Sequence, residues 1–380
     1  MKIALYVHDL RLEVGHSNSL IELIRNLPES KKRMITDIEV VNFTCMTTEE
    51  LFPDLNLKVK RIKVPFEGLK PFFLKAIFYQ VWTFIYNRFF QEKGFFKIGI
   101  GICCLDVDAV SIQFIHKQWT EKGLEMEKGF WLRTLYKKML FFYFETCESY
   151  LFSKRNLKFF SPAQFLTDYL NKNFKGIQTR TIYSGINLNR FVLNSDEKRK
   201  ILDKVTIEYP ILSGLNLQEP IFIFVGAYER KGIEKALEIV KKRVGAQFIV
   251  VGSPSMGRTV VWPNTIKVFP IQFTKRIQDF YSLSDVFVFP TLYEPFGLVL
   301  FEAVAMGLMV ITRQNEVGAS ELIRHLPEVY FIEESEVDLN SVKVKNFTHK
   351  NELRNKRLEL LGDVSWCKAG QELDKFLFQS

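Results

Sequence analysis

One feature limits the fold of this chain more than any other: short apolar runs, rich in β-branched and aromatic residues, alternate from end to end with stretches of helical spacing. The run MKIALYVHDL (1–10) reads as a strand and SNSLIELIRNL (17–27) as a helix, with Gly15 in the turn between them. Further strands are expected at 37–43, 97–103, 109–116 (AVSIQFIH), 157–162 and 179–185. A fresh alternation opens with PIFIFVGAYERKGIEKALEIVKKR (220–243), and QFIVVGS, TIKVFP, DVFVFP and LMVITR supply strands after it. Strands covered by helices on both faces are buried on both sides, so they read as apolar throughout. The chain is therefore expected to be α/β, built on parallel sheets.

At 380 residues it is long enough for two domains, each burying its own core. The polar stretch NSDEKRK (194–200) separates the two alternations, and the hinge is expected near residues 190–200. The organisation predicted is two Rossmann-like domains facing across a cleft, residues 1–192 and 201–362, followed by a closing segment 363–380. Residues 326–350 are the least regular part, and no internal repeat is visible. In open sheets of this kind ligands bind beyond the carboxyl ends of the strands, so the loops after strands are where chemistry is expected.

Composition narrows the class. With 47% hydrophobic and 25% charged residues the chain reads as a folded protein, and no run reaches the roughly 18 apolar residues of a spanning helix. Asp9 falls where a signal peptide would still be apolar, so a cytoplasmic protein is expected. The five cysteines form no CxxC pair, which argues against a disulfide framework and a zinc knuckle.

Residues 1–190 hold 28 Lys and Arg against 19 Asp and Glu, whereas residues 191–380 hold 24 of each, so the whole net charge of +9 lies in the first half. A basic surface of this kind attracts phosphate. The segment PFFLKAIFYQVWTFIYNRFFQEKGFF (71–96) carries eleven aromatics with bases on and beside it, and KGFWLRTLYKKMLFFYFE (128–145) repeats the mixture. Leu74, Ile77, Phe78, Val81 and Ile85 would make one helical face, with aromatic residues spread over the others. That pattern suits an in-plane helix on an anionic membrane surface or a helix buried on two sides. No single-strand-binding module is visible, so no nucleic-acid partner is expected.

Two loops concentrate candidate chemistry. In VGAYERKGIEKAL (225–237) the strand turns to helix past Gly226 and across Arg230, Lys231 and Gly232, and adjacent bases ahead of a helix can neutralise a diphosphate. In DVFVFPTLYEPFGLVLFEAVAMG (285–307) a strand, a loop and a helix follow one another. Pro295 and Gly297 break the strand, leaving the amides of Phe296, Gly297 and Leu298 at a helix start. Glu302, one turn in, suits a pair of ribose hydroxyls, and Glu294 suits those of a second sugar.

The pattern Glu294-Pro-Phe-Gly-Leu-Val-Leu-Phe-Glu302-Ala-x-Ala-x-Gly307 resembles the paired-glutamate signature of the retaining glycosyltransferases of the GT-B fold, family 4. TIYSGINLNRF (181–191), the Arg230–Lys231 turn and VGASELI (317–323) resemble further segments of that family in order, and SWCKAGQELDKFL (365–377) resembles its terminal helix, which implies that 363–380 crosses back to the first domain. LEVGHSN (12–18) looks like its glycine-rich loop with Gly15 alone, and CLDVDAVSIQFIHKQW (104–119) is similar to a stretch of lipopolysaccharide-core glucosyltransferases. The resemblance implies a GT-B architecture and transfer of a hexose from a nucleotide-diphosphate sugar, most simply a UDP-sugar, to a glycan or glycolipid acceptor with retention. It implies catalytic or cleft-lining roles for Asp106, His116, Arg230, Lys231 and Glu294, and donor contacts from Gly15, Gly226, Arg230, Lys231, Glu294, Phe296, Gly297, Leu298 and Glu302.

Asp106-Val-Asp108 is also a D-x-D, the metal–nucleotide motif of the other large glycosyltransferase fold. Because Arg230 and Lys231 already supply counter-charge to a diphosphate, no metal and no cofactor are expected. A sugar-nucleotide epimerase and a non-catalytic scaffold are the competing readings. The expected location is the cytoplasm, peripheral on the inner face of the cytoplasmic membrane.

Overall fold

The computed structural model describes residues 1–10, 15–45, 51–53, 58–123, 131–187, 191, 193, 197–254, 259–272, 274–315, 317–334 and 337–379. The chain is α/β and divides into two compact units, Met1–Gly185 with Val364–Ser380, and Ile186–Asp363.

The strands of the first unit are β1 (Lys2–Tyr6), β2 (Asp9–Leu10), β3 (Asp37–Asn42), β4 (Thr44–Cys45), β5 (Lys58–Lys63), β6 (Phe95–Ile100), β7 (Ala109–Ser111), β8 (Lys158–Ser161) and β9 (Gln178–Thr181). Seven of them form one sheet in the order β5-β3-β1-β6-β7-β8-β9, all neighbours parallel, while β2 and β4 make a separate short pair. Ile3, Leu5, Ile38, Val40 and Ile98 bury a face of this sheet against Leu20, Ile24 and Leu27 and against the last helix, Trp366–Phe378. The closing segment thus completes the core of the first unit. Gly370 lets that helix approach closely, because a Cβ there would lie 2.0 Å from the Asn26 carbonyl oxygen. Gly370→Ala is expected to cost about 1–3 kcal/mol, read as a lowered melting temperature; an unchanged melt would mean that the helix end yields freely.

Several local expectations shift. The run AVSIQFIH gives a strand only over Ala109–Ser111, and His116 opens the helix His116–Gly123 instead of ending the strand. The first helix spans Gly15–Arg25, so Gly15 is its first residue; residues 12–14 of the glycine-containing loop lie outside the described residues, as do 188–190, 194–196 and 128–130 of the other segments named above. The edge strand β5, KVKRIK, was not anticipated, because its bases hide the alternation of an exposed edge.

The second unit holds β10 (Ile221–Val225), β11 (Gln247–Val251), β12 (Lys267–Ile271), β13 (Val286–Phe289), β14 (Met309–Thr312) and β15 (Val329–Phe331), a six-stranded parallel sheet in the order β12-β11-β10-β13-β14-β15. Strand order reverses between β10 and β13, which makes the crevice beyond their carboxyl ends the topological switch point. Phe222, Phe224, Phe248, Val250, Val286 and Val288 form the core with Ile233, Ala236 and Val240 of the helix Ile233–Val240.

The region that looked least regular ends in the helix Phe347–Leu361, which is fastened by buried cations instead of an apolar face. Arg357 donates to the carbonyls of Leu308 (2.7 Å), Pro327 (3.0 Å), Glu328 (3.2 Å) and Val304 (3.4 Å), and Lys350 donates to the Ser282 carbonyl (2.9 Å) and to that of Ser284. The carbonyls of Ser282, Ser284, Val304 and Leu308 lie at or just beyond the C-terminal ends of the helices Ile277–Leu283 and Leu298–Ala305, where a basic group matches the exposed dipole, and those of Pro327 and Glu328 lie in the turn before β15. Burial pulls the Arg357 guanidinium down only to about 10, so it stays charged at neutral pH. Among the described residues no helix is long and apolar enough to cross a membrane.

Candidate functional site

The loops leaving β10 and β13 meet at the switch point of the second unit. After β10 the chain forms a one-turn helix, Tyr228–Lys231, then Gly232 and the helix Ile233–Val240. The two bases expected in a turn are thus on a helical turn, which aims them differently: Arg230 is exposed and Lys231 is buried. The Lys231 ammonium is in direct contact with the Glu294 carboxylate, and it also lies 5.3 Å from the ring centroid of Phe289. Burial, then the neighbouring Arg230 charge, pulls Lys231 well below its ordinary value, while the Glu294 charge against it acts in the opposite direction.

Two glycines make room for this pair. Gly226 sits at φ 142°, and a Cβ there would lie 2.8 Å from Lys231 Cγ; Gly297 sits at φ 93°, and a Cβ there would lie 3.0 Å from Glu294 Cγ. Both backbones lie where L side chains are rarely found, and both open space for a charged neighbour.

The glutamate loop is fixed on its other side by the segment after β14. Glu294 pairs with Val317 in an isolated parallel bridge, the Gly318 amide donates to the Glu294 carbonyl (3.0 Å), and the Ala319 amide donates to the Phe296 carbonyl (2.7 Å). Phe296 is buried and stacks on Phe301 at 5.3 Å. Leu298 then opens the helix Leu298–Ala305, whose half-buried Glu302 accepts a hydrogen bond from the Tyr281 hydroxyl at 2.9 Å. Tyr281 is fully buried, and burial followed by the Glu302 charge keeps its phenol protonated far above the usual range. The sequence held no signal for this partner, which is on a different helix, Ile277–Leu283. Thr291 was likewise missed; its hydroxyl donates to the Arg230 carbonyl at 3.2 Å and ties the two loops together.

Gly226, Arg230, Lys231, Glu294, Phe296, Gly297, Leu298 and Glu302 therefore all lie on the carboxyl-end loops of one sheet or in the helices they open. The first-unit candidates do not gather in the same way. His116 follows the carboxyl end of β7, where its Nδ1 lies 2.6 Å from Glu148 Oε1 and its backbone amide donates to the same oxygen at 2.8 Å. Glu148 is buried, and Phe144 packs 4.7 Å from the imidazole, so the ring is held on two sides. With Nδ1 as the donor, Nε2 is left as the acceptor of the neutral ring. Glu148 had not been singled out from the sequence, since its partner is 32 positions away.

Asp106 is apart from this. It lies beside the amino-terminal half of β6, paired with Lys97 Nζ (2.7 Å) and accepting from Asn87 Nδ2 (3.0 Å). Burial pushes its carboxyl up, but the Lys97 and Asn87 contacts outweigh this and hold it below the ordinary range. Asp108 takes the Lys97 backbone amide at 2.8 Å, so both acids of the D-x-D serve the β6–β7 connection. The loop has carried them back to the wrong end of the sheet for strand-end chemistry. Gly15, exposed at its helix start, has no described atom within 4 Å of a Cβ position.

Residues 208–359 match the family model described as Glycosyl transferases group 1. An uncharacterized glycosyltransferase of Methanocaldococcus jannaschii is 30% identical over 159 residues, 39% of this chain and 39% of that protein, and the glycogen synthase of Acholeplasma laidlawii is 32% identical over 112 residues, 26% of this chain and 23% of that protein. The chain thus matches well under half the length of these relatives. Among solved structures it resembles WaaG, a glycosyltransferase involved in lipopolysaccharide biosynthesis (15% identity, TM-score 0.62, 99% of this chain and 98% of that one), and the sucrose-phosphate synthase of Thermosynechococcus elongatus (17% identity, TM-score 0.61, 100% and 95%). HepE of Anabaena, solved in complex with UDP and glucose, has the same fold at 13% identity and TM-score 0.52, covering 100% and 95%. The second unit carries a glycosyl transferases group 1 region, set in a chain with the GT-B fold.

Proposed function

We propose that the protein is a glycosyltransferase that moves a hexose from a nucleotide-diphosphate sugar, with retention at the anomeric carbon, to a cell-envelope glycan or lipid-linked acceptor. The observation that carries the reading is the meeting of Lys231 and Glu294 at the switch point of the second unit, with the Glu302 helix opening beside them. Charge builds on the departing diphosphate in such a transfer, and its stabilisation is the main electrostatic task. Arg230, Lys231 and the amides around Gly297 are the donors available for it, so the reaction is proposed to need no metal. Glu302, oriented by Tyr281, would accept the ribose hydroxyls, and Glu294 would hold those of the transferred sugar.

Glu294 serves as the counter-ion of Lys231. An arriving diphosphate offers the lysine a second anion and frees the glutamate for sugar hydroxyls, which couples recognition of the two halves of the donor. His116, held by Glu148, is the first-unit residue proposed to orient an acceptor hydroxyl. Asp106 is kept as a candidate from the resemblance alone, because its surroundings favour a structural role. The donor is proposed to be a UDP-sugar and the working place the cytoplasmic side of the inner membrane. A scaffold reading has no use for a buried lysine and glutamate exposed to competition at a strand end.

The test is thermal stabilisation against UDP-, GDP- and ADP-sugars, with and without a chelator. Saturation at a hundred times the dissociation constant adds about 2.7 kcal/mol. One nucleotide class should raise the melting temperature whether or not chelator is present, and Glu302→Ala should abolish the shift. Absence of any shift with every donor would favour the scaffold.

A further inference from the structure

The helix Phe72–Phe89 is inside out. Its buried positions are Ala76, Tyr79, Gln80, Thr83 and Tyr86, whereas Leu74, Val81, Ile85 and Phe89 point to solvent. A helix rotates 100° per residue, so the spacing of those four apolar residues keeps them on one stripe opposite the buried one. The inward side chains are held by polar bonds: Tyr79 Oη donates to the Val7 carbonyl (3.1 Å), Gln80 Nε2 to the Ile102 carbonyl (2.7 Å) and Tyr86 Oη to Glu39 Oε2 (3.0 Å). The helix is therefore fixed in this rotation, and its apolar stripe cannot turn inward without breaking buried hydrogen bonds.

The helix Trp131–Phe152 lies against it and repeats the pattern. Tyr143 donates to Gln80 Oε1, the Tyr136 hydroxyl takes the Phe73 amide at 3.2 Å, and Phe144 and Cys147 are buried, while Met139 and Phe142 are exposed. Phe89 and Phe142 are 73% and 74% exposed, values that an uncovered surface does not normally leave on two neighbouring helices.

We infer that this helix pair is a membrane-docking face that lies in the plane of an anionic lipid surface. The charges decide the occupant. Lys70, Arg88, Lys93 and Lys138 are exposed at the ends and flanks of the stripes, and none of them forms an ion pair among the described residues. Of the nearby acids, Glu92 is taken by Lys2 at 2.6 Å, Glu67 by the Thr44 hydroxyl at 2.5 Å and Glu148 by His116 at 2.6 Å, which among the described residues leaves the half-buried Glu145 against four exposed bases. Apolar rings in the acyl boundary with lysine and arginine heads at phosphate level are what such an arrangement satisfies. A self-association surface would need acids to meet those bases. This identifies the face behind the lipid-linked acceptor reading above, and it stands without the sugar chemistry.

The test is co-sedimentation of the full chain with vesicles of phosphatidylcholine containing phosphatidylglycerol, and with phosphatidylcholine alone, at low salt. The wild type is expected to bind the anionic vesicles preferentially. Ile85→Ser/Phe89→Ser/Phe142→Ser should lose at least about tenfold in partition, with melting temperature and donor-induced shift unchanged because the three side chains are outside the donor site. Arg88→Gln/Lys93→Gln should lose roughly fivefold per base and bind with weaker salt dependence, which keeps the test sharp if the triple variant folds poorly. Wild type left in the supernatant, or variants that bind as it does, overturns the inference. So does a vesicle-free wild-type dimer that the triple variant converts to monomer, since the face would then join two copies.

Discussion

Replacing Lys231 by alanine is expected to lower kcat/KM by about two to three orders of magnitude, the usual loss when one donor to a developing anion is removed. The same substitution should destabilise the free protein, because it leaves the Glu294 carboxylate buried without its partner. Breaking a buried pair on one side typically costs about 3–5 kcal/mol, whereas replacing both partners with neutral groups of similar size is far cheaper. The double variant Lys231→Met/Glu294→Gln should therefore melt near the wild type and remain inactive. Steady-state kinetics with the nucleotide sugar found by thermal shift, read beside the melting curves, separates the two effects. If Lys231→Ala kept wild-type kcat/KM, the lysine would be a structural counter-ion and the donor reading would lose its central residue.

The second large effect is expected at Arg357, a fully buried guanidinium 55 positions beyond Glu302. Arg357→Met removes donors from the carbonyls of Val304 and Leu308 at the end of the helix that carries Glu302, and from Pro327 and Glu328 across from it. Those carbonyls then remain dry with fewer partners, at about 1–3 kcal/mol each for the ones left unsatisfied. We expect a total of about 3–5 kcal/mol, which in a unit of this size lowers the melting temperature by roughly 10 °C. Tyr281→Phe is the useful contrast, since it removes one hydrogen bond from Glu302 and should cost only about 1 kcal/mol of stability while weakening donor binding. A small loss in Arg357→Met would mean that water enters to replace the guanidinium.

Much of the candidate site in the second unit was legible because it is local. The strand β13, the break at Pro295 and Gly297, and the helix that follows are set by residues adjacent in sequence, and the two glutamates ride on that unit. The same holds for β10 and the bases after it. The first-unit candidates His116 and Asp106 divide on this point. His116 was misplaced by only one element type, because the extended run after β7 keeps a strand-like composition without strand pairing. The position of Asp106 beside the amino-terminal half of β6 was not legible, because nothing in a short loop states which end of the sheet it reaches.

By itself the sequence determined the α/β class, the parallel strands, the two alternations and which charged residues stand in the segments after β10 and β13, since each follows from residues a few positions apart. Tertiary structure alone decided the pairings between distant segments. It brought Lys231 to Glu294 and Tyr281 to Glu302, because strand order sets which loops become neighbours. It also decided that the helix Phe72–Phe89 turns its hydroxyls and amide inward and its apolar stripe outward. Hydrophobic spacing marks a stripe on a helix; only the hydrogen-bond partners on the sheet beneath fix which side faces the core.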